Sequence, residues 1–278
     1  MKYCIDYTPT SQALEQVDEI NIPFNKDDLL VVIDFLNNHP TPQRVNIYIK
    51  DIESMKMIDK LIKIKKENPN FNFALKFAFY DEEINIDKIK EAKIDFYFEV
   101  YISEWEKLLE VLNLGVSDVF ITEELCFDLK RVASIVHQNN AKIRVFPNVS
   151  QKSWKNLPAL KTFFIRPEDL SSYEPYIDVL EMYGDRKKHE IYYKIYSKDK
   201  KWFGDLSELI IDLDYPLDSR FVIPRFGEKR INCQRKCLKG ERCKICEKIE
   251  RLSKTLKEAK ILVRMDKEEK KDGEGSRE

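Results

Sequence analysis

Residues 71–79 read Phe-Asn-Phe-Ala-Leu-Lys-Phe-Ala-Phe, so every second position is large and apolar. A period of two is the mark of a strand with one apolar face. Seven further segments, 2–7, 44–50, 95–102, 117–122, 141–147, 161–166 and 177–183, are similarly rich in β-branched and aromatic residues. Between them the period lengthens: Ile52, Met55, Ile58, Leu61 and Ile62 keep helical spacing, as do Leu125, Leu129, Val132, Ala133 and Val136. Eight strands alternating with crossover helices predict an α/β protein with a parallel sheet, and the closed solution for eight is a TIM-like (β/α)8 barrel. A doubly wound open sheet is the competing architecture.

Beyond residue 185 the alternation stops. Residues 189–196 read as a further strand, 202–211 as a short helix and 215–227 as a Pro-containing loop. Ile249, Leu252, Leu256 and Ala259 then mark a last helix. Residues 267–278 contain no apolar side chain and cannot offset their ordering entropy, which predicts a disordered tail. The expected organisation is a barrel over 1–185, a C-terminal cysteine-rich extension over 186–264 and a tail over 265–278.

Composition narrows the chemistry. Hydrophobic residues make up 43% and charged ones 35% of the 278 residues, a globular balance. Lys and Arg number 48 against 49 Asp and Glu, so no whole-protein field draws the chain to nucleic acid or an anionic membrane. No apolar run approaches the length of a membrane span, and acid at Asp6 interrupts any leader. The expected location is the cytoplasm. Only 7 glycines occur, none grouped in a phosphate-cradling loop, so no nucleotide cofactor is indicated.

Four of the 6 cysteines crowd into one short stretch, Cys233-x3-Cys237 followed by Cys243-x2-Cys246. Four thiolates this close can converge on one ion, with Gly240 between the pairs to turn the chain. Structural Zn²⁺ and a 4Fe–4S cluster both take four thiolates, and spacing does not separate them. A set of reduced packing cysteines is the alternative. Arg235, Lys236, Lys239, Arg242 and Lys244 surround the cluster. They form a candidate nucleic-acid footprint, or else offset the negative charge of a metal–thiolate centre.

If the large apolar faces meet the helices, the opposite faces turn a second set of side chains into the barrel. That set holds Tyr48, Lys76, Glu99, Arg144, Asn148, Arg166 and Glu181, with Glu123 at a strand's carboxyl end. Lys76, Glu99, Glu123, Arg144, Asn148, Arg166 and Glu181 are the candidate pocket, suited to binding a polar or anionic small molecule and to acid–base work. The competing explanation is interior ion pairing, Lys76 with Glu99 and Arg166 with Glu181. Other chemistries find little support. His39, His137 and His189 are scattered, no Gly-x-Ser-x-Gly elbow occurs, and Cys126 reads more simply as a core cysteine than as a nucleophile.

Asp118-Val-Phe-Ile-Thr-Glu123, the helical pattern behind it and Arg144-Val-Phe-Pro-Asn148-Val-Ser-Gln151 resemble the middle of the peptidase U32 family. The resemblance spans about a third of the chain. It implies a barrel, an iron–sulfur cluster on four cysteines and a part in hydroxylation or RNA modification. The family's cysteines are more dispersed and its early strands richer in glycine. The expected function is a metal-binding barrel enzyme that modifies a polar or anionic substrate. The alternative is a non-catalytic interaction module whose zinc knuckle binds nucleic acid or a protein.

Overall fold

The computed structural model describes residues 1–7, 16–24, 29–38, 44–82, 84–99, 102–122, 125–149, 163–198, 201–213, 217–231, 233, 246, 248–249 and 251–252. Eight parallel strands run β1 (Lys2–Asp6), β2 (Glu19–Phe24), β3 (Arg44–Ile49), β4 (Phe73–Phe77), β5 (Asp95–Phe98), β6 (Asp118–Phe120), β7 (Lys142–Val145) and β8 (Val179–Glu181). Their order in the sheet is β5-β4-β3-β2-β1-β8-β7-β6. The two edge strands meet as well. Ser117 N–H donates to the Phe96 carbonyl at 2.9 Å, Ile102 N–H to Phe120 at 3.1 Å and Thr122 N–H to Ile102 at 2.9 Å. The sheet is thus a nearly closed (β/α)8 barrel.

Helices α1 (Leu29–Asn38), α2 (Ile52–Met55), α3 (Ile58–Glu67), α4 (Ile86–Glu91), α5 (Trp105–Asn113), α6 (Leu129–Gln138) and α7 (Leu170–Tyr173) fall between strands. Each of the longer ones follows its apolar stripe. In α6, Leu129, Val132, Ala133 and Val136 are buried, the face that helical spacing selects. Ile20, Ile22, Phe24, Val45, Ile47, Ile49, Phe73, Leu75 and Phe77 join them in one core between sheet and helices. The alternate strand residues face the lumen, where Ala74, Tyr97, Phe120 and Phe146 form a small separate cluster.

Number and alternation of strands agree with the sequence pattern, but one segment was misassigned. Described residues of 161–166 lie outside the barrel sheet, and the place is taken by β2. Glu-Ile-Asn-Ile-Pro-Phe carries two polar residues and a proline, a poor strand by composition. Its polar side chains are satisfied by neighbours on β1 and β3 and by Arg144 and Glu181 across the lumen, and Pro23 stands beyond the last β1 pairing, Asp6 with Asn21.

The expected strand over 189–196 is helix α8 (Arg186–Tyr196). Asp185 caps it by accepting from Lys187 N–H at 3.1 Å, and His189, Tyr192 and Tyr196 make one buried face. Alternating aromatic and charged residues fit either period, and packing on β1 settles the matter: the Tyr3 and Tyr193 rings meet edge to face at 5.6 Å. The expected helix over 202–211 shrinks to one 3₁₀ turn, Leu206–Glu208, and the expected loop over 215–227 holds a second, Ser219–Phe221. Helix α9 (Phe226–Ile231) follows. Its Arg230 lies 4.9 to 6.0 Å from the rings of Phe127, Phe163, Phe164 and Phe226, which fixes the approach to Cys233 against the barrel's outer layer. The predicted tail, and the final helix beyond residue 252, lie outside the described residues. Among the described residues no helix is long and apolar enough to cross a membrane.

Candidate active site at the carboxyl mouth

Because the strands are parallel, their last residues gather at one end of the barrel. Asp6, Tyr48, Lys76, Glu99, Phe146 and Glu181 come from the ends of β1, β3, β4, β5, β7 and β8, and line a cavity of about 230 Å³ with Met182, Tyr183, Gly184 and His189. This is the end at which barrel enzymes carry their sites.

Lys76 is the centre of the floor. Its Nζ is 2.9 Å from Glu99 and 2.5 Å from Glu181, and sits 4.4 Å from the centre of the Tyr48 ring. Burial alone works against its charge, but the two carboxylates outweigh it and hold the ammonium above its ordinary pKa. Lys76 is therefore a fixed cation and not an amine nucleophile. Glu181 shows the reverse balance: burial raises its carboxyl above the ordinary value, while Lys76 and Arg144 pull it back. Burial, with Glu99 beside it, also raises the Tyr48 phenol.

Beneath this floor lies a second charged layer. Arg144 is fully buried and contacts Asp118 at 2.9 Å, Glu181 at 3.2 Å and Glu19, while stacking 4.5 Å over Tyr97. Arg44 donates to Asp118 at 2.7 Å and to the Ser117 hydroxyl at 2.8 Å. Despite burial, Arg144 and Arg44 hold the Asp118 and Glu19 carboxyls below their ordinary values. Asn21 ties the layers together, donating to Glu181 at 2.9 Å and Asp6 at 3.0 Å.

His189 closes one side. Its Nδ1 accepts from the Asp6 backbone N–H at 3.2 Å, so the neutral ring carries its hydrogen on Nε2. Nε2 is buried without a well-aligned hydrogen-bond partner. Burial, opposed by Asp6, lowers the imidazole pKa. Gly184 is required beside it: φ is +103°, and a Cβ there would stand 2.5 Å from Ile211 Cδ1.

Of the candidate pocket residues, the fold brings Lys76, Glu99 and Glu181 together at the cavity. Arg144 is below the floor. Asn148 is completely buried and braces Tyr183, donating to its carbonyl at 2.9 Å and accepting from its N–H at 3.0 Å. Arg166 is elsewhere, clamped to Asp169 at 2.6 Å and Glu168 at 3.1 Å. The supposed Arg166–Glu181 pair does not form, because 163–166 is not a barrel strand. Glu123 lies outside the described residues, as do Cys237, Cys243 and the basic residues Arg235, Lys236, Lys239, Arg242 and Lys244. Cys233 and Cys246 are half-buried. Among the described residues no group of three or more His, Cys, Asp or Glu is arranged to hold a metal ion. Cys126 is a core residue whose Sγ meets the Ile121 carbonyl at 3.4 Å.

Asp6 and His189 were not singled out from sequence. Asp6 at the end of the first strand carried a usable signal; His189 carried none, since its place depends on α8 folding back over β1.

No family model matches the chain, and no curated protein matches it. Among solved structures, a conserved Enterococcus faecalis protein of unknown function is 10% identical, with 74% of this chain and 68% of that chain covered at a TM-score of 0.40. A likeness at that score bears on neither fold nor activity.

Proposed function

We propose that the protein is a barrel enzyme that performs acid–base chemistry on a small polar molecule at its carboxyl mouth. The observation that carries this reading is the single buried ammonium of Lys76 shared by Glu99 and Glu181 on the floor of an enterable cavity. Here Glu99 keeps 14% of its side chain exposed toward the mouth. The two carboxylates differ in surroundings, which is how one site comes to hold an acid and a base at the same pH. Glu181, buried and raised, is assigned the proton donor; Glu99, nearer solvent, the acceptor; Lys76 keeps both within reach and offsets charge that develops on the substrate.

The test is a turnover screen. Purified protein is incubated with pools of small polar metabolites and depletion is followed by mass spectrometry, beside Glu99→Gln. A substrate consumed by the parent, and at least about a hundredfold more slowly by the variant, is the expected result. Turnover unchanged in Glu99→Gln would overturn the assignment.

The reading also includes a metal. We assign Cys233, Cys237, Cys243 and Cys246 to one tetrahedral thiolate centre, Zn²⁺ or a 4Fe–4S cluster, on their spacing. Cys246 packs against the main apolar core, so such a centre would staple the extension to the barrel. The mouth chemistry does not pass through it.

A further inference from the structure

Charge in the lumen does not balance. Among the described residues, and leaving aside exposed Asp95 and the Asp6–Arg186 pair at the rim, Arg44, Lys76 and Arg144 face Glu19, Glu99, Asp118 and Glu181, three cations against four carboxylates. In the lower layer two arginines are matched by Glu19 and Asp118. The surplus therefore falls at the floor of the cavity, where Glu99 and Glu181 share the one ammonium of Lys76, and Arg144, already matched below, reaches Glu181 only at 3.2 Å. A surplus carboxylate in a largely buried site calls for a proton, which Glu181 holds while the cavity is empty, or for a cation that displaces that proton on binding.

A second observation is independent of the carboxylates. His189 is 2% exposed and lines the cavity; its Nε2 makes no hydrogen bond of good geometry among the described residues, and the Gly184 carbonyl is its nearest, poorly aligned acceptor. A buried donor left unmade is costly, and an acceptor on an occupant would satisfy it. The walls agree with a cationic occupant. The Tyr48 face already accommodates the Lys76 ammonium, and the Phe146 and Tyr183 rings, which meet edge to face at 5.1 Å, also line the cavity. At about 230 Å³ the cavity is smaller than the roughly 300 Å³ at which drug-sized sites begin, so the occupant is compact.

We infer that the cavity takes a compact organic cation: a small molecule with a protonated amine seated against Glu99 and Glu181, and an oxygen acceptor seated against His189 Nε2. This inference rests on reading the mouth as a small-molecule site. It ranks an anionic substrate below a cationic one, since a carboxylate or phosphate would face Glu99 with Lys76 already committed.

Ligand-observed NMR titration of the whole chain tests it with two matched sets, D-glucosamine, D-glucose and D-gluconate, and 2-aminoethanol, ethane-1,2-diol and glycolate. Within a set, the amine should bind at least about tenfold more tightly than its neutral or anionic counterpart. Glu99→Gln should cut that preference to about threefold or less. His189→Asn keeps an acceptor for the Asp6 N–H and deletes the Nε2 donor, and should weaken hydroxylated members about fivefold without changing their order. Equal binding of amine and neutral members would overturn the charge inference and leave the small-molecule site standing. Binding of no member by folded protein would overturn both.

Discussion

Replacing Arg144 with Met removes one cation from beneath the cavity and leaves the methylene stem's volume nearly filled. The lumen then holds Arg44 and Lys76 against three buried carboxylates and the partly exposed Glu99. Glu19 keeps the Asn46 amide at 3.2 Å and, as its one remaining cation, Arg44 at 3.8 Å; Asp118 keeps its 2.7 Å contact with the same arginine, and Glu181 keeps Lys76. Removing one partner of a buried ion pair costs about 3–5 kcal/mol, since the remaining charge is left without compensation. Against the roughly 5–15 kcal/mol by which domains are stable, that is a large loss. Urea unfolding followed by circular dichroism measures it directly. The companion Glu19→Gln removes the carboxylate most dependent on Arg144, so the double variant should recover at least about 1 kcal/mol relative to the sum of the singles.

The pH dependence has a definite sign. Arg144 and Arg44 hold the Asp118 and Glu19 carboxyls low in the folded state. Their stabilisation is therefore complete above the unfolded carboxylate range, near pH 4, and is lost as pH falls through the folded values. The deficit of Arg144→Met should accordingly narrow in acid. A single variant within about 1 kcal/mol of the parent at pH 7, or strict additivity with Glu19→Gln, would refute the account of the lumen as one charge-coupled unit.

Glu181 carries the opposite sign: its raised carboxyl favours folding below the ordinary value of 4.5 and loses that advantage as pH rises, so Glu181→Gln should be least destabilising, or stabilising, at the alkaline end of a pH series of melts. Gly184→Ala should cost about 1–3 kcal/mol from its +103° φ and the Ile211 contact; adding Ile211→Ala should restore only part, because the backbone strain persists, and full restoration would refute the φ argument. Metal analysis with an anaerobic visible spectrum should find one zinc or one iron–sulfur cluster per chain, absent after Cys243→Ser with Cys246→Ser; metal-free protein would remove the thiolate centre from the proposed function.

The barrel was legible because its pattern is local. Phe73, Leu75 and Phe77 alternate with Ala74 and Lys76, and no distant residue is needed to see that the two faces differ. Strand β2 was not legible for the converse reason. Glu19 and Asn21 read as loop chemistry until Arg144, 125 positions away, and Glu181, 160 positions away, are brought against them. The site divides the same way. Lys76 and Glu99 stand on neighbouring strands at positions the period of two turns inward, so their approach follows from alternation. Arg166 occupies what looks like such a position, yet its segment is not in the sheet. His189 reads as part of a strand until Tyr193 finds Tyr3 and the segment packs as a helix.

By itself, then, the chain determined an alternating α/β architecture, two unlike faces on each strand and a tight group of four cysteines, all set by residue size, polarity and spacing over a few positions. The tertiary structure alone decided which segment completed the barrel, which carboxylate met which cation and where the surplus charge came to rest. Those outcomes depend on contacts between residues a hundred or more positions apart, and in a low-dielectric lumen a difference of a few ångströms decides whether a charge is paired.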